Sequence, residues 1–195
     1  SSGIGEALVG ELAKRKAKIV AAARSIDKLT EMEKFYTSKG IEFLPVQVDV
    51  TNPGDCENLI NKTIEKFGHI DVLINNAGIS MRAMLLDTDL SVLHRLMDVN
   101  FWGTVNCTKY ALPYLLDTKG SLVGVISIAG HVGLPARTGY AASKFAVRGF
   151  LDTLRIEYLR RGLHVLVAAP GFTASNIRKT ALTADVSLSP GWIIP

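Results

Sequence analysis

The sequence predicts an α/β fold, a doubly wound parallel sheet sandwiched between helices in three α/β/α layers. Three observations carry this. Short β-rich runs alternate with longer helical patterns along the chain. The runs are near-continuously apolar rather than strictly alternating, as expected of strands covered on both faces. No internal repeat, low-complexity stretch or linker interrupts the order, and 195 residues with 48% hydrophobic and 21% charged content fit one globular domain, residues 1–195.

In chain order, Ser1-Ser2-Gly3-Ile4-Gly5 runs directly into a helix over Ile4 to Arg15. Strand patterns follow at Lys18 to Ala23, Phe43 to Val48, Val72 to Ile74, Leu122 to Ser127 and His164 to Ala168. Between them lie helical patterns at Ile26 to Lys39, Pro53 to Phe67, Leu90 to Leu116 and Thr138 to Arg161. Strand, helix, strand, repeated, implies right-handed crossovers in one parallel sheet. From Thr183 to Pro195 the periodicity is lost, and a loop or lid is expected there.

Composition excludes several classes. The formal charge of +4 comes from Lys and Arg interleaved with Asp and Glu, as in Glu11 to Lys18, which describes a solvated mixed surface and not a nucleic-acid face. Cys56 and Cys107 lie far apart and outside any CxxC pattern, so neither a disulfide framework nor a zinc site is expected. The four histidines show no ligand spacing, and no metal is expected. Unpaired cysteines point to the cytosol or a cytosol-facing surface. No apolar run in these residues approaches the roughly 18 of a membrane span.

The opening glycine turn suits a pyrophosphate, because free backbone N–H groups and the positive end of a helix dipole converge there. Gly3 and Gly5 would let the backbone approach such a ligand. A G-x-G turn is equally a plain helix entry. In the dinucleotide-binding strand order 3-2-1-4-5-6 the first strand is central. A chain without it would leave two half-sheets with unpaired edges, at about 1–3 kcal/mol per unsatisfied backbone group. The natural protein is therefore expected to begin before Ser1, where a targeting segment or anchor stays open.

Four further segments, in order, resemble the short-chain dehydrogenase/reductase family: Asn75-Asn76-Ala77-Gly78 after a strand, Ser127 ending a strand, Tyr140-Ala141-Ala142-Ser143-Lys144 entering a helix, and Pro170-Gly171 after the last strand. The resemblance runs from Ser1 to about Ser175. It implies a Rossmann-like fold and an enzyme that moves a hydride between a nicotinamide dinucleotide and a carbonyl or alcohol. Ser1 to Gly5 would end the family's T-G-x-x-x-G-x-G motif.

Tyr140 and Lys144, four apart in a helical pattern, project from one helix face. A nearby ammonium favours the phenolate form of a tyrosine, so Tyr140 would act as general acid in reduction and as base in oxidation. By resemblance Lys144 also holds the nicotinamide ribose, Ser127 bonds the substrate oxygen, and Asn100 holds a water that links Lys144 to solvent. Each residue alone also has a plain structural reading.

For the cofactor, the second strand ends Ala21-Ala22-Ala23 with no carboxylate to bind the ribose hydroxyl of NAD, and Arg24-Ser25 follows. Arg24 offers a bidentate contact to a 2′-phosphate, so NADP(H) is expected over NAD(H). The alternative reading is that Arg24 simply fronts the helix from Ile26 and faces water. By resemblance Asp49 and Val50 flank the adenine, Asn76, Ala77 and Gly78 line the adenosine side, and Pro170 and Gly171 support the nicotinamide. Thr173 and Ser175 complete this set, with Ser175 where relatives often have a Thr on the carboxamide. Lys16 stands at a helix end where relatives usually carry Gly, and a left-handed Lys costs about 1 kcal/mol.

Substrate contacts are expected from Met81, His131, Val132, Leu134 and Phe172, a mixed lining that fits a medium-sized apolar carbonyl compound of steroid, retinoid or acyl-chain type. Phe101, Trp102, Phe145 and Phe150 make the two long helices apolar on more than one face, which matches the family's dimer or tetramer interface. A carrier-bound 3-oxoacyl substrate and a non-catalytic dinucleotide-binding module are the alternatives.

Overall fold

The computed structural model describes residues 2–173, 177, 180–185 and 187. Helix α1 (Gly3–Lys14) leads to β1 (Ile19–Ala23), α2 (Ile26–Thr37), β2 (Phe43–Gln47), α3 (Pro53–Phe67) and β3 (Val72–Asn75). Then come α4 (Leu90–Leu96), a π-helical turn (Met97–Trp102), α5 (Gly103–Asp117), β4 (Ser121–Val125), α6 (Thr138–Glu157) and β5 (His164–Ala168). The expected strands and helices are all present, mostly to within a residue or two of their expected bounds, though α6 stops at Glu157, four residues short of the expected Arg161, where a 3₁₀ turn (Leu159–Arg161) takes over. The long helical pattern at 90–116 also differs, since the π turn divides it.

Local chemistry explains the boundaries. The α3 helix starts where Asn52 Oδ1 accepts from the Gly54 N–H at 2.9 Å and Pro53 supplies a preset φ, and it ends at left-handed Gly68. Helix α1 ends in a Schellman arrangement. Lys16 N–H donates to Ala13 O at 2.9 Å and Ala17 N–H to Leu12 O at 3.2 Å. That motif needs a left-handed residue, and Lys16 takes it at φ 57, as expected from its position.

All pairing is parallel. β1 pairs with β2 in register Ile19↔Phe43, while β4 lies between β3 and β5 in registers Val72↔Ser121 and Ser121↔His164. The described strands thus form two sheets, the division expected of these residues with no strand between β1 and β3. Coverage is less even than expected: Val72 and Leu166 are about half exposed, at 50% and 47%.

The main core joins Val46 of β2 and Val48 just beyond it to Leu59 and Ile60 of α3, Ala111 and Leu115 of α5, Leu122 of β4 and Leu151 of α6. Gly124 makes this packing possible. A Cβ there would lie 2.2 Å from Leu151 Cδ1, so α6 could not sit on β4. Cys56 and Cys107 face each other between α3 and α5, the Cys107 thiol donating to the Cys56 sulfur at 3.5 Å. That bond and burial push the Cys107 thiol up. A smaller core of Ala13, Ile19, Ala21, Leu29 and Phe43 serves β1 and β2. Among the described residues no helix is long and apolar enough to cross a membrane.

Candidate active site

The end of β4 and the buried face of α6 meet through one contact. Lys144 Nζ donates to the Val125 carbonyl at 3.0 Å, two residues before Ser127. Gly130, just after Ser127, lets the chain close on the helix, since a Cβ there would lie 3.1 Å from the Lys144 carbonyl. Tyr140 lies one helical turn before Lys144, whose Nζ is 5.9 Å from the phenol ring centroid. Both are buried. Burial strips water from the Lys144 ammonium and brings its pKa down to about 8.

Ser127 lies two residues past β4 and caps the short 3₁₀ turn Ile128–Gly130, its Oγ accepting from the Ala129 N–H at 3.2 Å. Because the hydroxyl oxygen is engaged there, its proton is left to donate to a further group. The Ile128 N–H donates to the Pro170 carbonyl at 3.3 Å, which holds the Pro170-Gly171 turn beside this strand end.

Asn100 sits in the π turn and is 1% exposed. Its Oδ1 accepts from the Ile79 N–H at 2.8 Å, and its Nδ2 donates to Ile79 O at 3.0 Å and to Ser143 Oγ at 2.9 Å. Ser143, fully buried, donates in turn to the Tyr140 carbonyl at 2.8 Å. The Asn100 side chain thus braces the segment after β3 against α6, and its own carbonyl accepts from Thr104 Oγ1 at 2.9 Å.

The glycine turn and the segment after β3 are adjacent: a Cβ on Gly5 would lie 2.7 Å from Asn76 Nδ2. Ser2 makes no side-chain cap bond to α1, leaving the first-turn N–H groups to another acceptor. Gly78 borders both Lys144 and Asn100, since a Cβ there would lie 3.2 Å from Lys144 Nζ and 3.2 Å from Asn100 Oδ1. A dinucleotide with its pyrophosphate on α1 and a ribose at Lys144 needs such a side-chain-free path, and the residues present fit it.

At the far end Arg24 and Ser25 are exposed after β1, and the Arg24 carbonyl accepts from Gln47 Nε2 at 3.1 Å. Thr51 N–H and Oγ1 donate to Asp49 Oδ1 at 3.0 and 2.8 Å. The backbone bond from Thr51 leads in holding this carboxylate below its usual range, with its hydroxyl, Arg95 and Arg24 adding. Val50 packs on Gly103 of α5, and its carbonyl accepts from Asn106 Nδ2 at 3.0 Å.

Of the expected substrate residues, Met81 is fully buried with Val92, Leu96, Ala129, Tyr140 and Leu182, and Leu134 packs on that cluster. His131, Val132 and Phe172 are exposed. Thr173 is exposed in the turn, its Oγ1 donating to Gly171 O at 3.3 Å. Ser1 and Ser175, with part of the expected lid at 183–195, lie outside the described residues. Among those described no cluster of His, Cys, Asp and Glu could hold a metal.

Two residues at the site escaped the sequence reading, Ser143 and Arg137. Ser143 carried a signal, since it falls on the buried face between Tyr140 and Lys144. Arg137 carried none, because its partners, Ser80 Oγ and Met81 O, lie more than fifty positions away.

Comparisons agree with this arrangement. The short chain dehydrogenase family model matches residues 1–185. Dehydrogenase/reductase SDR family member 7 of Homo sapiens is 36% identical over 98% of this chain and 58% of its own length. An 11-beta-hydroxysteroid dehydrogenase-like 3 of Arabidopsis thaliana is 38% identical over 91% of this chain and 58% of its own length. The chain therefore spans somewhat under three fifths of these relatives. Among solved structures, an alcohol dehydrogenase from Thermococcus sibiricus complexed with 5-hydroxy-NADP has a TM-score of 0.87 at 26% identity, covering 94% of this chain and 81% of that one. A short chain dehydrogenase/reductase from Burkholderia phymatum in complex with NAD also has a TM-score of 0.87 at 26% identity, covering 91% and 64%. With the glycine turn, the strand-end serine and the Tyr140–Lys144 helix face all inside the matched span, the chain belongs to the short chain dehydrogenase family of oxidoreductases.

Proposed function

We propose that the protein transfers a hydride between NADP(H) and a carbonyl or secondary alcohol, with Tyr140 as the proton donor and acceptor. The observation that carries this reading is the contact between Lys144 Nζ and the Val125 carbonyl, which sets Tyr140, Lys144 and Ser127 around one strand end. The nicotinamide, when bound, supplies or receives the hydride. Ser127 directs its free proton at the substrate oxygen, stabilising the charge that develops there. Tyr140 Oη gives that oxygen a proton in reduction and takes it back in oxidation. The Lys144 ammonium favours the phenolate that remains. Asn100 and Ser143 fix the helix turn that carries the phenol.

Arg24, with Ser25 beside it and no carboxylate ending β1, supports NADP(H) over NAD(H). The apolar cluster around Tyr140 supports an apolar ketone or alcohol, and the hydroxysteroid dehydrogenase name of one relative is consistent with that class. Exposed Trp102 and Phe145, flanking the Phe101–Phe150 edge contact, support association of two copies through α5 and α6.

Loss of NADPH absorbance with a panel of ketones and aldehydes tests the activity. Tyr140→Phe should keep NADPH binding and lose nearly all turnover, and NADPH should bind more tightly than NADH. Binding without turnover across the panel would favour a dinucleotide-binding module. Near wild-type turnover in Tyr140→Phe would overturn the role of the phenol.

A further inference from the structure

Three stretches distant in sequence are stitched together beside Tyr140. Leu182 pairs with Met81, its N–H donating to Ser80 O at 2.8 Å while the Arg82 N–H donates to Leu182 O at 2.8 Å. The Ala83 N–H donates to Ala136 O at 3.2 Å. Arg137 closes the knot through Nη1, which donates to the Ser80 hydroxyl and to the Met81 carbonyl, the latter at 2.7 Å. Ser80 and Met81 are buried, so these bonds run where water competes little.

The backbone supports the same reading. Ala136 adopts φ 56, a left-handed conformation that an L residue with a Cβ takes at a cost. Such strain persists where surrounding contacts over-determine it, and it gathers at clamps and functional sites. Here the Ala136 carbonyl holds Ala83 while the next side chain reaches back to Ser80 and Met81. Three residues further on stands Tyr140, and Gly139 between them packs on Met81, since a Cβ there would lie 3.2 Å from its Sδ.

We propose that Arg137 is a positioning residue for the substrate pocket. By gripping Ser80 and Met81 together, its guanidinium fixes the 80–83 stretch, and through it the bridged Leu182, against the start of the helix that carries Tyr140. The clamped segments pack Met81 and Leu182 into one buried cluster with Tyr140, with Leu134 against it. Arg137 therefore sets how a bulky apolar carbonyl compound lies against the phenol without touching the cofactor path along α1, Arg24 and Gly78. A lysine could replace its charge but not its planar array of donors. This inference rests on the proposed hydride-transfer reading for its substrate, though not for the clamp itself.

Two measurements on Arg137→Ala and Arg137→Lys, made on the full chain, test it. In steady state with NADPH and the best ketone of the panel, Arg137→Ala should lower kcat/KM at least about tenfold, the change that one charge-assisted hydrogen bond corresponds to. Most of that loss should appear in KM. The NADPH dissociation constant should stay within about twofold, and Arg137→Lys should recover only part of the loss. Amide hydrogen exchange gives the readout that needs no activity. Arg82 and Leu182 should lose protection in Arg137→Ala while β4 and α6 keep theirs. An unchanged KM, or retained protection at Arg82 and Leu182, would overturn the proposal. So would full rescue by lysine. If the wild type turns over no substrate, the hydride-transfer reading falls and the exchange result alone decides the clamp.

Discussion

At the scale of single residues, the lysine proposed to favour the Tyr140 phenolate is also one that strains the fold. Lys144 is 4% exposed, and removal of water brings its pKa down to about 8. In the unfolded chain a lysine titrates near 10.4. Above that pH both states are neutral and the burial costs nothing electrostatic. As pH falls from about 10.4 to 8 the unfolded chain takes up a proton that the native state does not, so stability declines. Below about pH 8 both are charged and the native state carries the full penalty, on the order of 3 kcal/mol. Lys144→Met should therefore be inactive yet more stable than wild type by about 1–3 kcal/mol at pH 7, with the gain shrinking as pH rises towards 10. Urea melts of cofactor-free protein across that range measure it, and a variant less stable at every pH would refute the account. The sequence order of Ser127, Tyr140 and Lys144 made their meeting beside one strand end legible. The brace from Asn100 through Ser143 to the Tyr140 carbonyl was not, because the bonds depend on which face of the π turn meets α6.

Elements were more legible than the joints between them. Near-continuous apolar runs located each strand, and the helical pattern at Pro53 to Phe67 coincides with α3. The π turn at Met97–Trp102 left no such mark: Val92, Leu96, Asn100, Thr104 and Thr108 recur every fourth residue and read as one continuous helix. The irregular turn carries Asn100 to Ile79, and π turns are frequent at functional sites. The end of α1 was legible down to its strain. Lys16 occupies the left-handed position of a Schellman arrangement at φ 57. Lys16→Gly should relieve it and raise stability by up to about 1 kcal/mol. A higher urea midpoint with unchanged slope is the expected result, and a lower midpoint would show that lost chain entropy outweighs the relieved strain.

Across the whole molecule, the alternation of strands and helices foretold a parallel α/β architecture, and the division of the described strands into two sheets follows the same logic. Burial could not be read as well, because Val72 and Leu166 belong to strand patterns as apolar as Leu122 yet lie half exposed. The two sheets draw unequally on the cores: Ile19, Ala21 and Phe43 belong to the smaller cluster and Val46 alone of the β1–β2 sheet is buried in the large one, which holds Leu122 and Val165. Regions with fewer buried apolar contacts open at lower free energy, so the amides of β1 should exchange before those of β4. The facing thiols of Cys56 and Cys107 turn that hierarchy into a clock. Neither sulfur is open to a reagent while α3 lies on α5, so a thiol-reactive dye would consume both together, at the rate at which the large core opens. Labelling should keep pace with exchange in β4 and lag behind β1. Dye uptake as fast as β1 exchange would mean that the molecule opens as one piece.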